Sequence, residues 1–133
     1  MTLRERIRRH EGCVAKPYQD SRGIWTVGVG RNLEVAEFSQ DEIDLMFEND
    51  LARATHGADI LCPHLGGVRR EVLIEMVFQL GMGGVSKFKR FLAAAEAHQW
   101  DIAAKEMRAS RWHTQTKARA EELAHLFETG GEA

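Results

Sequence analysis

The stretch "VRREVLIEMVFQLG", Val68 to Gly81, constrains the chain more than any other. Val72, Leu73, Ile74, Met76, Val77, Phe78 and Leu80 fall almost all round a helical wheel. A helix that is apolar on every side has to be buried, so other helices must surround it. The glycines at 81, 83 and 84 are expected to end it. A fold built around one central helix follows. With 133 residues, the chain suits a single domain with a core of its own.

The flanking segments supply the shell. Thr2-x-x-Glu5 has capping-box spacing, and Leu3, Ile7, His10 and Glu11 then share one face of a first helix over 2–12, with Gly12 at its exit. Ser39-x-x-Glu42 repeats the box and opens a helix to about His56, with Ile43, Phe47, Leu51 and Ala54 as its stripe. "LCPHLGG" reads as a loop. Helices are expected around Lys87–His98, Asp101–Ala109 and Lys117–Phe127, the last capped by Thr116, with Trp100 and Trp112 filling the core between them.

Pro17 to Gly30 breaks the helical pattern. Asp20-Ser-Arg-Gly23 has the residue preferences of a type I turn, and "IWTVGVG" alternates as a strand does. Trp25, Val27 and Val29 point one way and read as packing; Ile24, Thr26, Gly28 and Gly30 point the other, which sets Thr26 facing Asp20 across the hairpin. The architecture is α+β and predominantly helical. A small hairpin lobe over about 13–35 packs against a helical lobe over about 39–130 that includes the N-terminal helix, and a cleft lies between them.

Composition excludes more than it selects. Net charge is −2, so no global attraction to nucleic acid or an anionic membrane arises. Arg4, Arg6, Arg8 and Arg9, with smaller clusters at Arg69-Arg70 and Arg108–Arg111, are read as solvated helix faces. Cys13 and Cys62 form no CxxC, which suits a reducing compartment and free thiols, with a single long-range disulfide as the alternative. "MTLRERIRRH" has no apolar stretch of a signal peptide, and no segment approaches a membrane span. Six histidines lack ligand spacing, so no metal is expected.

Glu11 and Asp20 carry the chemical interest. Glu11 sits at a helix C-terminus on the apolar side, where the macrodipole and desolvation both favour the protonated acid. Asp20 opens an exposed turn with backbone N–H groups nearby, which favours the carboxylate. Two carboxyl groups with environments of opposite effect suit glycoside hydrolysis, and a separation with room for water gives inversion at the anomeric carbon. Thr26 could share that water. By itself the set reads more readily as a solvated helix end, a turn-former and hairpin glycines.

The spacing E-G-x(7)-D-x(2)-G-x(2)-T-x-G-x-G, carried by Glu11, Gly12, Asp20, Gly23, Thr26, Gly28 and Gly30, resembles the N-terminal motif of the phage-type lysozymes. "VRREVLIEMVFQLGMGGVSKF" resembles that family's central helix and glycine exit, and "SRWHTQTKARAEEL" its C-terminal active-site wall. The resemblance implies a muramidase that cuts the β-1,4 bond after N-acetylmuramic acid in peptidoglycan. Glu11 would be the acid, Asp20 the base or water-positioning carboxylate, and Thr26 a holder of the water. Asn32, Phe78, Gln79 and Thr116 would meet the glycan, and Arg119 would pair with the catalytic glutamate. It further implies no cofactor, a glycan strand as partner, a monomer with no stable membrane insertion, and synthesis in the host cytoplasm before holin-dependent, virion-borne or secreted release to the wall. Two other readings stay open: a lytic transglycosylase using Glu11 alone, and an inactive wall-binding module. Arg31 stands where histidine is common in the family, Glu75 and Glu106 where asparagine is, and "EVAE" is shorter than the usual hairpin lobe.

Overall fold

In the computed structural model, which describes residues 1–131, the run from Val72 to Val77 lies at the centre of a helical core, as its apolarity requires. The elements in chain order are α1 (Leu3–Glu11), β1 (Val14–Gln19), β2 (Trp25–Gly28), β3 (Arg31–Asn32), α2 (Gln40–Leu61), α3 (Gly67–Ser86), α4 (Lys89–Glu96), α5 (Trp100–Arg108), α6 (Arg111–Gln115) and α7 (Lys117–Thr129). The fold is α+β and mostly helical, with one small antiparallel sheet. Packing divides the chain into two units, Met1–Asp44 and the residues from Leu45 onward, with the boundary inside α2. α1 therefore groups with the sheet, whereas the sequence pattern grouped it with the helices.

The first unit holds α1 and the sheet β1-β2-β3. Both halves of the Thr2/Glu5 capping box form, and Gly12 takes φ +82° to turn the chain out of α1. α1 buries no residue: Leu3 and Ile7 remain exposed despite their shared face. Pro17 is tolerated because β1 is an edge strand, and the register slips between Val14 and Tyr18 around it. The turn closes with Gly23 N–H donating to Asp20 O at 2.9 Å and with Gly23 at φ +79°. Trp25 is 47% exposed, so it does not fill a core as its alternation suggested; Thr26 beside it is the residue that is buried.

The second unit is a helical bundle. Phe91, Phe127, Leu73, Met76, Met107, Val72 and Val85 are its largest fully buried side chains. α2 continues past His56 to Leu61, and Gly57 within it is a close-crossing residue: a Cβ there would lie 3.2 Å from Cγ1 of Val77. Pro63 sets the actual limit, since the residue before a proline disfavours helical dihedrals. α3 breaks at Gly81 (φ 76°, ψ 161°) as its glycines suggested, but helix resumes and runs on to Ser86. Arg69 closes the far end of α7. Its Nε and Nη2 donate to the Phe127 and Glu128 carbonyls at 2.7 and 3.0 Å, and its guanidinium lies 4.2 Å from the Trp100 ring centre. Gly130, left-handed at φ 72°, caps α7 with its N–H on the Leu126 carbonyl at 2.9 Å, and the arginine satisfies two further carbonyls of the last turn. Among the described residues, no helix is long and apolar enough to cross a membrane.

Candidate active site

Glu11 is the last residue of α1, and the positive-φ Gly12 behind it releases its side chain from the helix. Its carboxylate lies against Gly30. A Cβ built on Gly30 would sit 2.5 Å from Oε2 of Glu11 and 2.9 Å from its carboxyl carbon. Gly30 also has φ +67°, so two independent reasons require glycine there. Glu11 is exposed, which corrects the expectation of an apolar surrounding: α1 has no buried face against which the acid could be desolvated.

Asp20 is held as a carboxylate. Its Oδ1 accepts from the N–H of Arg22 at 2.8 Å and of Ile24 at 3.0 Å. The Ile24 N–H, then the Arg22 N–H, hold its pKa below the usual aspartate value, and the Arg22 charge adds to them. Oδ2 has no protein donor among the described residues.

Thr26 is 5% exposed, and its hydroxyl donates to the Ile24 carbonyl at 2.9 Å. The register places it opposite Tyr18 on one side and Asn32 on the other, so it does not face Asp20 directly. That pairing runs in register with Gln19–Trp25 from the turn; the slip in β1 lies beyond it, between Val14 and Tyr18. Thr26 and Asp20 instead meet the same residue, Ile24, one through its carbonyl and the other through its amide. With its proton committed to Ile24, Thr26 Oγ1 is left to accept a hydrogen bond. Asn32 Oδ1 accepts from Glu34 N–H at 2.8 Å, which starts the turn after β3. Arg31 pairs with Glu42 in the first turn of α2 and lies 5.3 Å from the Phe38 ring centre. That pair, together with the ring contact, ties the hairpin end down.

The remaining candidates lie in the helical unit. Gln79 Oε1 accepts from the indole N–H of Trp112 at 3.0 Å, and Thr116 Oγ1 donates to the Trp112 carbonyl at 2.9 Å. Trp112 is buried and fixes both polar side chains. Its N–H needs a partner once buried, so the tryptophan itself hinted at this link in the sequence, but nothing named Gln79 as that partner. Thr116 spends its hydroxyl on Trp112 and makes no side-chain cap on α7, contrary to the N-cap expected of it. Phe78 lines a groove of about 470 Å³ with Phe47, Ile74, Glu75 and Arg119, and its ring meets Phe47 edge-on at 5.9 Å. Within this unit, Arg119 Nε donates to Glu75 Oε2 at 2.9 Å. The sequence had offered Glu75 only as a departure from asparagine; it is the partner of the candidate arginine. Glu11, Asp20, Thr26 and Asn32 thus share the first unit, while Phe78, Gln79, Thr116 and Arg119 share the second.

Comparison with known proteins gives the family. A family model described as phage lysozyme matches residues 8–127. Probable T4-type lysozyme 1 of Dictyostelium discoideum is 27% identical over 97% of this chain and 95% of its own length. Probable T4-type lysozyme 2 of the same organism is 28% identical over the same shares. The pre-baseplate central spike protein Gp5 of Enterobacteria phage T4 is 31% identical over 98% of this chain, which corresponds to 28% of that longer protein. Each alignment runs over 161 positions, more than the 133 residues available here, so these relatives carry residues that this chain lacks. The chain belongs to the phage lysozyme family, and so to the muramidase-type hydrolases of the bacterial cell wall.

Proposed function

We propose that the chain cleaves the β-1,4 bond between N-acetylmuramic acid and N-acetylglucosamine by single displacement with inversion. Glu11 gives its proton to the leaving glycosidic oxygen. A water attacks the anomeric carbon from the opposite face and loses its proton to Asp20. One bond to the sugar breaks as the other forms, and no covalent glycosyl-enzyme is made.

The observation that carries this reading is the difference between the two carboxyl groups of the first unit. Asp20 is fixed in its charged form by two backbone amides, while Glu11 projects from a helix end over Gly30, where no β-carbon bars a flat ligand. Thr26 supports hydrolysis over a reaction that needs only the acid, because it shares Ile24 with Asp20 and its free lone pair suits a bound water. Asn32 next to Thr26 on the sheet, and Phe78, Gln79 and Thr116 in the helical unit, are the proposed sugar contacts. The glycan strand is the proposed partner of a monomeric enzyme.

Muropeptide analysis tests the proposal. Digestion of purified sacculi should release fragments with a free reducing N-acetylmuramic acid, and Glu11→Gln should abolish release while the thermal unfolding midpoint is retained. Release of 1,6-anhydro ends would assign a transglycosylase instead.

A further inference from the structure

One carboxylate outside the proposed chemistry gathers the charged side chains of three helices. Glu121, on α7, accepts from Arg108 Nε at 3.0 and 3.1 Å through its two oxygens, and its Oε2 lies 2.9 Å from His113 Nε2. Arg108 ends α5 and His113 belongs to α6, so a single side chain of α7 holds both preceding helices. Arg108 has a second acceptor on the same helix, Glu128 Oε2, at 3.3 Å from its Nη1. The hydrogen bond with His113, and after it the Arg108 guanidinium, keep the Glu121 pKa below the usual glutamate range against partial burial. The hub therefore stays charged.

α6 needs such a holder. It spans five residues, and so short a helix has no stability of its own. Trp112 and His113 are adjacent in it, which places them about 100° apart around its axis. Trp112 anchors one side, donating to Gln79 of α3 at 3.0 Å; His113 anchors another, on Glu121 of α7. Two ties at different angles stop a short rod from rolling, whereas one leaves it free to roll. That roll decides where the Trp112 indole and carbonyl point, and these hold Gln79 and Thr116, two of the proposed glycan contacts. The His113 side chain is 16% exposed and that of Glu121 47%, so the pair adds little to overall stability. Its consequence is orientation.

We infer that Glu121 is a positioning residue for the glycan: by clamping His113 and Arg108 it sets the roll of α6, and with it Trp112, Gln79 and Thr116. The inference rests on the glycan contacts of the proposed function, not on the chemistry at Glu11 and Asp20. Its test therefore uses Glu11→Gln protein and two readouts. Calorimetric titration with soluble glycan strands measures binding. Proton exchange of the Trp112 indole N–H, followed by NMR on the peak lost in Trp112→Phe, measures orientation. Adding Glu121→Ala should weaken binding about three- to tenfold and speed indole exchange several-fold. Glu121→Gln, which keeps the shape and one acceptor oxygen, should recover part of both. Glu128→Gln removes the other acceptor of Arg108 without touching α6, and should change neither. Unchanged binding in folded Glu121→Ala protein overturns the inference. So does weaker binding with unchanged indole exchange, or an equal loss in Glu128→Gln. With the Glu11 carboxyl restored, Glu121→Ala should raise KM and leave kcat within about twofold; a loss in kcat alone contradicts the assignment. Should Glu121→Ala fail to fold, His113→Phe keeps a ring but drops one tie, and should give a two- to threefold effect on both readouts; its absence overturns the inference equally. A parent protein that binds no glycan would contradict the proposed function, and indole exchange would still decide whether Glu121 sets Trp112.

Discussion

The Glu11 carboxylate and the α-carbon of Gly30 are so close that a β-carbon on Gly30 would lie 2.5 Å from Oε2. A side chain at position 30 must therefore push Glu11 aside. Gly30→Ala should lower activity on the order of 100-fold, the scale of a 1 Å misplacement of a reacting group. Gly28→Ala is the control: it has the same φ of +67° but meets nothing within 4 Å. Both variants should lose about 1–3 kcal/mol of stability to backbone strain, measured by urea unfolding. Only Gly30→Ala should lose most of its turnover; equal losses would show that strain, not displacement of Glu11, is responsible.

Asp20 should make the hairpin acid-sensitive. Its pKa is lowered by the Ile24 and Arg22 amides, so the folded state prefers the carboxylate more than the unfolded state does. The stabilisation is complete above the ordinary aspartate pKa and is lost as pH falls through the lowered one. Asp20→Asn keeps an acceptor oxygen without the titration. Thermal midpoints of the two proteins, followed from pH 6 down to pH 2, should therefore differ most at the upper end and converge at the lower. Parallel curves would remove Asp20 from the acid limb.

Cys62 has the opposite sign. Burial, and then the Glu96 carboxylate 3.6 Å from its sulfur, push the thiol up to about 11. An unfolded cysteine ionises near its ordinary value, so stability contributed by the neutral thiol is full below about pH 9 and is lost as pH rises toward 11. Wild type should thus lose stability between pH 9 and 11 more steeply than Cys62→Ala, whatever the cavity cost of that substitution at neutral pH. Cys13 is exposed, so iodoacetamide should label it in the native protein and reach Cys62 only on unfolding.

Features decided within a few residues were legible in the sequence. Both capping boxes form as Thr2/Glu5 and Ser39/Glu42 spacing required, and the Asp20–Gly23 turn closes as written. The central helix could be read because apolarity all round permits only burial. Misreadings arose where distant residues decide. Leu3 and Ile7 keep helical spacing, yet spacing alone does not create a surface to pack against. The partner of Thr26 is Tyr18, set by the closure of Asp20 on Ile24 and the Gln19–Trp25 pair, and alternation along β2 alone does not name it. α6 spans five residues, too few for any period, and only its Ser110 cap marks it, with His113 N–H donating to Ser110 Oγ at 3.2 Å. The Glu75–Arg119 pair joins residues 44 apart in sequence and is visible only in three dimensions.

The anomeric configuration of the first product tests the central claim most directly. Proton NMR of soluble glycan strands, recorded in the first minutes of digestion before mutarotation, resolves the new reducing end. Single displacement at a β-linked sugar by water held at Asp20 should yield the α-anomer first, with no signal from Glu11→Gln protein. An initial β-anomer, a 1,6-anhydro end or full turnover without the Glu11 carboxyl would contradict the mechanism.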